Sequence, residues 1–233
     1  MTQHASIGSV TQDGLSEWWR IYLRHRYAVL FYSLLLTLVG FPIVKAIGLT
    51  GNLLQVFVGL NLLAAAVPLE SRKGRWVLPA VLLAAVLIRV GSVQIGHAGL
   101  STASLVLWTL IALYAVFGAL RLVLRSSTIT PEHLYAALSA YLLVGVFLGV
   151  LYWSLDEMWP NSIIVAGPGA SNPFRLSEGI YFSFITLATV GYGDMVPGND
   201  VVRGLAIGEA IAGQFYLAVM IARVMSLYLR EAR

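Results

Sequence analysis

The sequence predicts an all-α integral membrane protein. It has six transmembrane helices per subunit, and a short re-entrant helix with a glycine-rich loop between the fifth and the sixth. Three observations predict this. Of 233 residues, 58% are hydrophobic and only 11% charged, with a mean hydropathy of +0.81. The apolar residues gather into six runs, each near the ~20 residues that a spanning helix needs. The stretch between the last two runs is read as a helix too short to span, followed by an extended loop, Thr189-Val190-Gly191-Tyr192-Gly193-Asp194.

The elements follow in order. Residues 1–14 are polar and without periodicity. Residues 1–26 form a cytoplasmic N-terminal segment, in which the aromatics and arginines from Ser16 to Arg26 suit an interfacial helix. The same residues also suit the solvated first turns of the first span. Residues 27–125 hold four spans, at about Tyr27–Ile47, Leu53–Leu69, Arg75–Ile95 and Thr102–Leu124. Residues 126–233 form the last unit: an outer helix over 131–153, a short helix over 177–188, the loop at 189–194 and an inner helix over 201–229. Thr130 suits the N-cap of the outer helix and Pro131 its first turn. Asp156 and Glu157 are expected in the outer loop that joins this helix to the short one.

Charge sets the orientation. Arg20, Arg24 and Arg26 precede the first span, Arg72, Lys73 and Arg75 join the second to the third, and Arg121 and Arg125 join the fourth to the fifth. The alternate loops are poor in basic residues, so both termini are expected in the cytoplasm and Tyr192 to Asp194 outside. The net charge of +4 sits mainly at helix ends, which suits topology and not nucleic-acid binding. There are no cysteines, so disulfides and thiolate metal sites are excluded. The polar residues form no nucleophile–base pair, metal-spacing motif or phosphate loop. An enzyme is not expected, and no cofactor is. No cleavable signal is expected either, because the first apolar run is too long for one.

The loop has its own physics. A cation crossing a bilayer sheds water, and backbone carbonyls can replace the lost oxygens if they share one axis. Adjacent carbonyls point the same way when alternate residues visit positive φ. Gly191 and Gly193 do so at little steric cost. The Thr189 hydroxyl adds an oxygen at the inner mouth, while Val190 and Tyr192 are expected to turn away and pack behind the loop.

These residues resemble the selectivity filter of tetrameric potassium channels. Tyr181-Phe182-Ser183-Phe184-Ile185-Thr186 is similar to the pore helix of that family, and Asp194-Met195-Val196-Pro197 to its filter exit. The resemblance is strong over about residues 130–233 and architectural before that. It implies a potassium-selective channel built as a homotetramer in the cell membrane, with K+ held at Thr189, Val190, Gly191 and Tyr192 and the ribbon completed by Gly193. It also implies that Asp194 is hydrogen-bonded to Tyr181, where many relatives have tryptophan. Ile185 stands where some relatives carry an acid. Gly213 falls at the position of a hinge glycine, although close packing explains a glycine there equally well. By helical spacing from Gly213, the residues Gln214, Leu217 and Ile221 are candidates to line an inner cavity. Glu209 is a carboxylate within an apolar helix, so it needs a partner or a proton; it is expected to back the filter or the pore helix. Gly204 and Gly208, with Gly145 and Gly149, make small-residue patterns suited to close helix contact.

Six spans with one pore loop is the layout of voltage-gated channels as well. A sensor needs arginines repeated through the fourth span, and Leu105 to Leu120 contains no charge. A voltage-sensor-like domain without sensor charges is therefore expected, with weak or no voltage dependence. A voltage-gated potassium channel is the alternative, and a potassium transporter subunit a more distant one. Arg89, in the third span, and His97, in an outer loop, have no assigned role. Four residues follow Leu229, too few for a ligand-binding domain. Gating is then intrinsic, lipid-dependent, or supplied by a separate regulatory subunit.

Overall fold

Pro131 opens a helix because its missing N–H falls among groups left unbonded in any first turn, and its fixed φ is already helical. The structure is a computed structural model that describes residues 25–40, 42–43, 57–58, 60–61, 107, 110, 113–114, 131–166 and 174–231. The order of elements is helix α1 (His25–Gly40), helix α2 (Pro131–Met158), strand β1 (Ile163–Val165), helix α3 (Leu176–Leu187), strand β2 (Met195–Pro197) and helix α4 (Asp200–Glu231). The described residues between 42 and 114 are helical too. The interfacial segment before His25, most of the second to fourth spans, Arg89, His97, Arg121, Arg125 and Thr130 lie outside the described residues. Among the described helices, α2 and α4 contain stretches long and apolar enough to cross a membrane.

Helix α2 outruns its expected end. Asp156 and Glu157 stand in its last turn, not in the outer loop. Nothing breaks the helix before Pro160, which disfavours the helical conformation at Trp159. The chain then turns through Asn161, at φ 67°, and Asp156 Oδ1 accepts a hydrogen bond from the Ile163 N–H at 3.2 Å.

The small ladder that follows is not anticipated by the sequence. Strand β1 pairs antiparallel with β2, Ile163 opposite Pro197 and Val165 opposite Met195. The ladder is extended at its two ends by Ala166 N–H to the Asp194 carbonyl and Gly198 N–H to the Ser162 carbonyl, both 2.8 Å. Gly198 is required here, since a Cβ would meet the Asn161 carbonyl at 2.2 Å.

Helix α3 has 12 residues and so extends about 18 Å, well short of a ~30 Å hydrocarbon core. It enters and does not span. Its start is closed by the Glu178 carboxylate, which accepts from the Arg175 N–H at 2.7 Å. Helix α4 begins at Asp200, capped by Asn199, whose Oδ1 accepts from the Val202 N–H at 2.9 Å. The same Asn199 donates to Ser162 Oγ at 2.9 Å, joining the helix start to the ladder.

Between apolar helices in lipid, contact rests on close packing and hydrogen bonds. Gly149 and Gly179 let α2 and α3 meet backbone to backbone, for a Cβ on Gly179 would lie 2.5 Å from the Gly149 carbonyl. Gly145 accommodates the Phe184 ring in the same way. Gly204 and Gly208 differ: nothing in the described chain lies within 4 Å of a Cβ at either. Among the described residues the close contact is thus made by Gly145 and Gly149, and it joins α2 to α3. Helix α1 packs on the start of α2, where the Tyr27 N–H donates to Glu132 Oε2 at 3.2 Å and Ser139 donates to the Tyr27 carbonyl at 3.3 Å. Ser33, Thr37 and Asn61 form a hydrogen-bonded knot on its other side, with Asn61 donating to Thr37 Oγ1 at 2.9 Å.

Candidate functional site

The end of α3 feeds straight into the glycine-rich loop. Val190 and Gly191 both donate their N–H groups to the Ile185 carbonyl, at 2.8 and 3.1 Å, and Thr189 donates to the Thr186 carbonyl at 2.9 Å. These bonds consume the donors at the inner end of the loop and leave its oxygens. Among the described residues no backbone N–H donates to the carbonyls of residues 189–193.

The dihedrals alternate. Thr189, Gly191 and Gly193 stand at φ 56°, 55° and 81°. The two glycines are the positions the sequence marks for this conformation. Thr189 is not foreseen, since a β-branched residue resists positive φ. Its N–H bond to Thr186 and the 3.3 Å approach of Gln214 Nε2 to its hydroxyl hold it there. Gln214 therefore reaches the inner end of the loop. Leu217 and Ile221 continue along α4 on exposed positions, 39% and 68% accessible.

Val190 and Tyr192 alternate with Thr189, Gly191 and Gly193 along the loop. They are 49% and 72% exposed, so the described residues of this chain do not cover them. Their own α3 is occupied on its other side by α2, through Gly145, Gly149 and Gly179.

At the outer end Tyr181 donates its hydroxyl to Asp194 Oδ2 at 2.9 Å. Desolvation, and then the Asp194 carboxylate, push the Tyr181 phenol above its ordinary pKa, which keeps it in the donating form. Asp194 Oδ1 is buried and has no hydrogen-bond partner among the described residues. Ile185 is buried under the loop and contributes its backbone oxygen, not a side-chain charge.

Behind α3 lies Glu209, only 3% exposed. Tyr152 of α2 donates to its Oε2 at 2.7 Å, and Ser183 Oγ of α3 is 2.6 Å from its Oε1. Gly213 touches the other end of α3, where a Cβ would lie 2.3 Å from the Leu187 carbonyl. Close packing is thus one reason for this glycine, and α4 runs unbroken through it.

Residues 136–230, which hold nearly all of α2, then α3, the loop and α4, match the family described as "Ion channel". Protein LctB of Bacillus caldotenax is 30% identical over 97 residues, 40% of this chain and 71% of that protein. The chain belongs to the ion-channel family. Two pore potassium channel a and Two pore potassium channel b of Oryza sativa subsp. japonica are each 34% identical to this chain, over 84 and 76 residues. Those matches take in 36% and 33% of the chain, which spans 21% and 18% of the two rice proteins. No solved structure matches it.

Two site residues escape sequence reasoning. Tyr152 and Ser183 read as ordinary members of apolar helices, and only the fold turns both toward Glu209. A faint signal exists: Tyr152 follows Gly149 by three positions and Ser183 follows Gly179 by four, so each shares a face with a glycine at the α2–α3 contact.

Proposed function

We propose that this chain is one subunit of a homotetrameric, potassium-selective channel that conducts K+ passively across a cell membrane. The alternation of positive φ at Thr189, Gly191 and Gly193 carries this reading, because it turns successive carbonyls the same way while leaving them unclaimed by the described donors. The carbonyls of Thr189, Val190, Gly191 and Tyr192 coordinate K+, Gly193 completes the ribbon, and the Thr189 hydroxyl serves the inner mouth. The words "potassium channel" in the names of both rice relatives support the choice of ion.

One chain brings one ribbon, so a closed ring takes several copies related by a cyclic axis, four in the family it resembles. The exposed Val190 and Tyr192 and the largely exposed α4 are the surfaces on which those copies would meet. Each α3 then directs its C-terminal partial negative charge at the axis. Tyr181, Asp194 and Glu209 support the filter from outside and behind. Gln214, Leu217 and Ile221 line the inner cavity, and Gly213 is the point at which α4 bends on opening. Six spans with cytoplasmic termini and weak or absent voltage dependence complete the proposal. Lipid or a separate regulatory subunit remains a source of gating.

The test is flux into liposomes that hold the purified chain, under a potassium gradient and then a sodium gradient. Rapid potassium flux with little sodium flux is expected. Equal flux of both ions, or none, would overturn the assignment.

A further inference from the structure

Ser183 owns one hydroxyl hydrogen, yet its oxygen approaches two oxygens that ordinarily only accept. The Gly145 carbonyl lies 2.8 Å away and Glu209 Oε1 2.6 Å away. Both distances are those of full hydrogen bonds. If Glu209 is ionised, one full hydrogen cannot occupy both gaps, and lone pairs confront each other where water does not reach. If Glu209 carries a proton on Oε1, the count closes. Tyr152 then donates to Oε2, Oε1–H donates to Ser183 Oγ, and Ser183 donates to the Gly145 carbonyl. Each short approach holds one hydrogen, and none is left over.

The surroundings agree with a neutral acid. Helix α2 presents Tyr152 to Glu209, with Tyr141 in electrostatic reach, and α3 presents the Ser183 hydroxyl. Among the described residues no lysine, arginine or histidine of any packed element forms an ion pair with Glu209. An isolated charge at such a place in a bilayer is strongly disfavoured. A protonated carboxyl with a donor on one side and an acceptor on the other is not.

We infer that Glu209 is a protonated acid whose single proton closes a one-way chain of hydrogen bonds from Tyr152 through Ser183 to Gly145, pinning the pore helix between α2 and α4. Glu209 is thus a positioning residue. Loss of its proton opens the chain at Ser183, which can then serve Glu209 or Gly145 but not both. The pore helix loosens beneath the filter, and flux falls as pH rises.

The protonation and its effect on flux are tested separately, because only the second rests on the potassium-channel reading. Infrared difference spectra of the full chain in liposomes at neutral pH, wild type against E209Q, should contain a protonated-carboxyl band from the wild type alone. Its absence would overturn the proposal whether or not the liposomes conduct potassium. In the flux arm, E209Q keeps potassium flux within about twofold of wild type, since its amide donates to Ser183 and accepts from Tyr152, whereas E209A loses roughly tenfold or more. E209Q also removes the decline at alkaline pH. A Gln variant as impaired as the Ala variant, or one that retains the wild-type pH profile, would overturn it. Should E209A fail to assemble, S183A takes its place: it removes the central link, and flux falls by a similar factor at all pH values. Wild-type flux in S183A would count against the chain of bonds.

Discussion

Gly213 brings α4 so close to the end of the pore helix that a side chain there would lie 2.3 Å from the Leu187 carbonyl oxygen. The two helices are thus in backbone contact two residues before the filter segment begins. In Gly213→Ala the overpacking costs about 1–3 kcal/mol, against a gain of about 1 kcal/mol in helix propensity. Net destabilisation is expected, read as a lower midpoint in thermal unfolding of the detergent-solubilised protein. An unchanged midpoint with altered channel opening would instead favour the hinge as the reason for this glycine.

The filter glycines act differently. Among the described residues nothing lies within 4 Å of a Cβ at Gly193, so a clash is not the obstacle there; the φ of 81° is. Gly193→Ala should place about 1–2 kcal/mol of backbone strain on each subunit. Loss of potassium-over-sodium selectivity in liposome flux is the expected outcome. Gly204→Ala is the control, because that glycine is helical and equally open. It should leave selectivity intact, and wild-type selectivity in both variants would remove the filter glycine from the mechanism.

Tyr181 and Asp194 can be separated by choice of replacement. Tyr181→Phe deletes the 2.9 Å hydrogen bond to Asp194 Oδ2 while keeping the ring. A loss of about 1 kcal/mol at this partly exposed site is expected to show as faster decay of potassium flux. Tyr181→Trp supplies an indole N–H donor and should behave nearly as wild type. Because burial and Asp194 hold the phenol above its ordinary pKa, this bond persists through mildly alkaline solution. An alkaline loss of flux that disappears in Glu209→Gln therefore cannot be charged to Tyr181.

Asn199 serves two partners, the Val202 N–H and the Ser162 hydroxyl. Asn199→Ala removes both at once, and about 1–2 kcal/mol of stability should go with them. Chemical denaturation would read the change directly. Asn199→Asp keeps the cap and loses the donor, so it should fall between the two.

The contrast between what is legible in this sequence and what is not follows physical lines. Gly191 and Gly193 are legible because positive φ is a chemical exception that glycine makes cheap. Thr189 shares the conformation and hides it, since propensity points the other way and its bonds to the Thr186 carbonyl and from Gln214 decide. The long helices are legible from their apolar length, but their ends are not: Asp156 and Glu157 look like loop residues, and only the late position of Pro160 keeps them helical. The ladder escapes notice because its strands have three residues each, too few to carry a period. Glu209 stands out as a charge in an apolar helix. Its partners lie 57 and 26 residues away, on helices whose facing a single sequence does not reveal.

The short ladder has a mechanical meaning. It sutures the outward end of α2 to the strand just past Asp194, while Asn199 stitches the same suture to the head of α4. At its opposite end the glycine ribbon hangs from the Ile185 oxygen. It is strung like a bridge deck between two anchored piers, so a displacement of residues 163–166 would be passed through β2 and Asp194 to the ribbon.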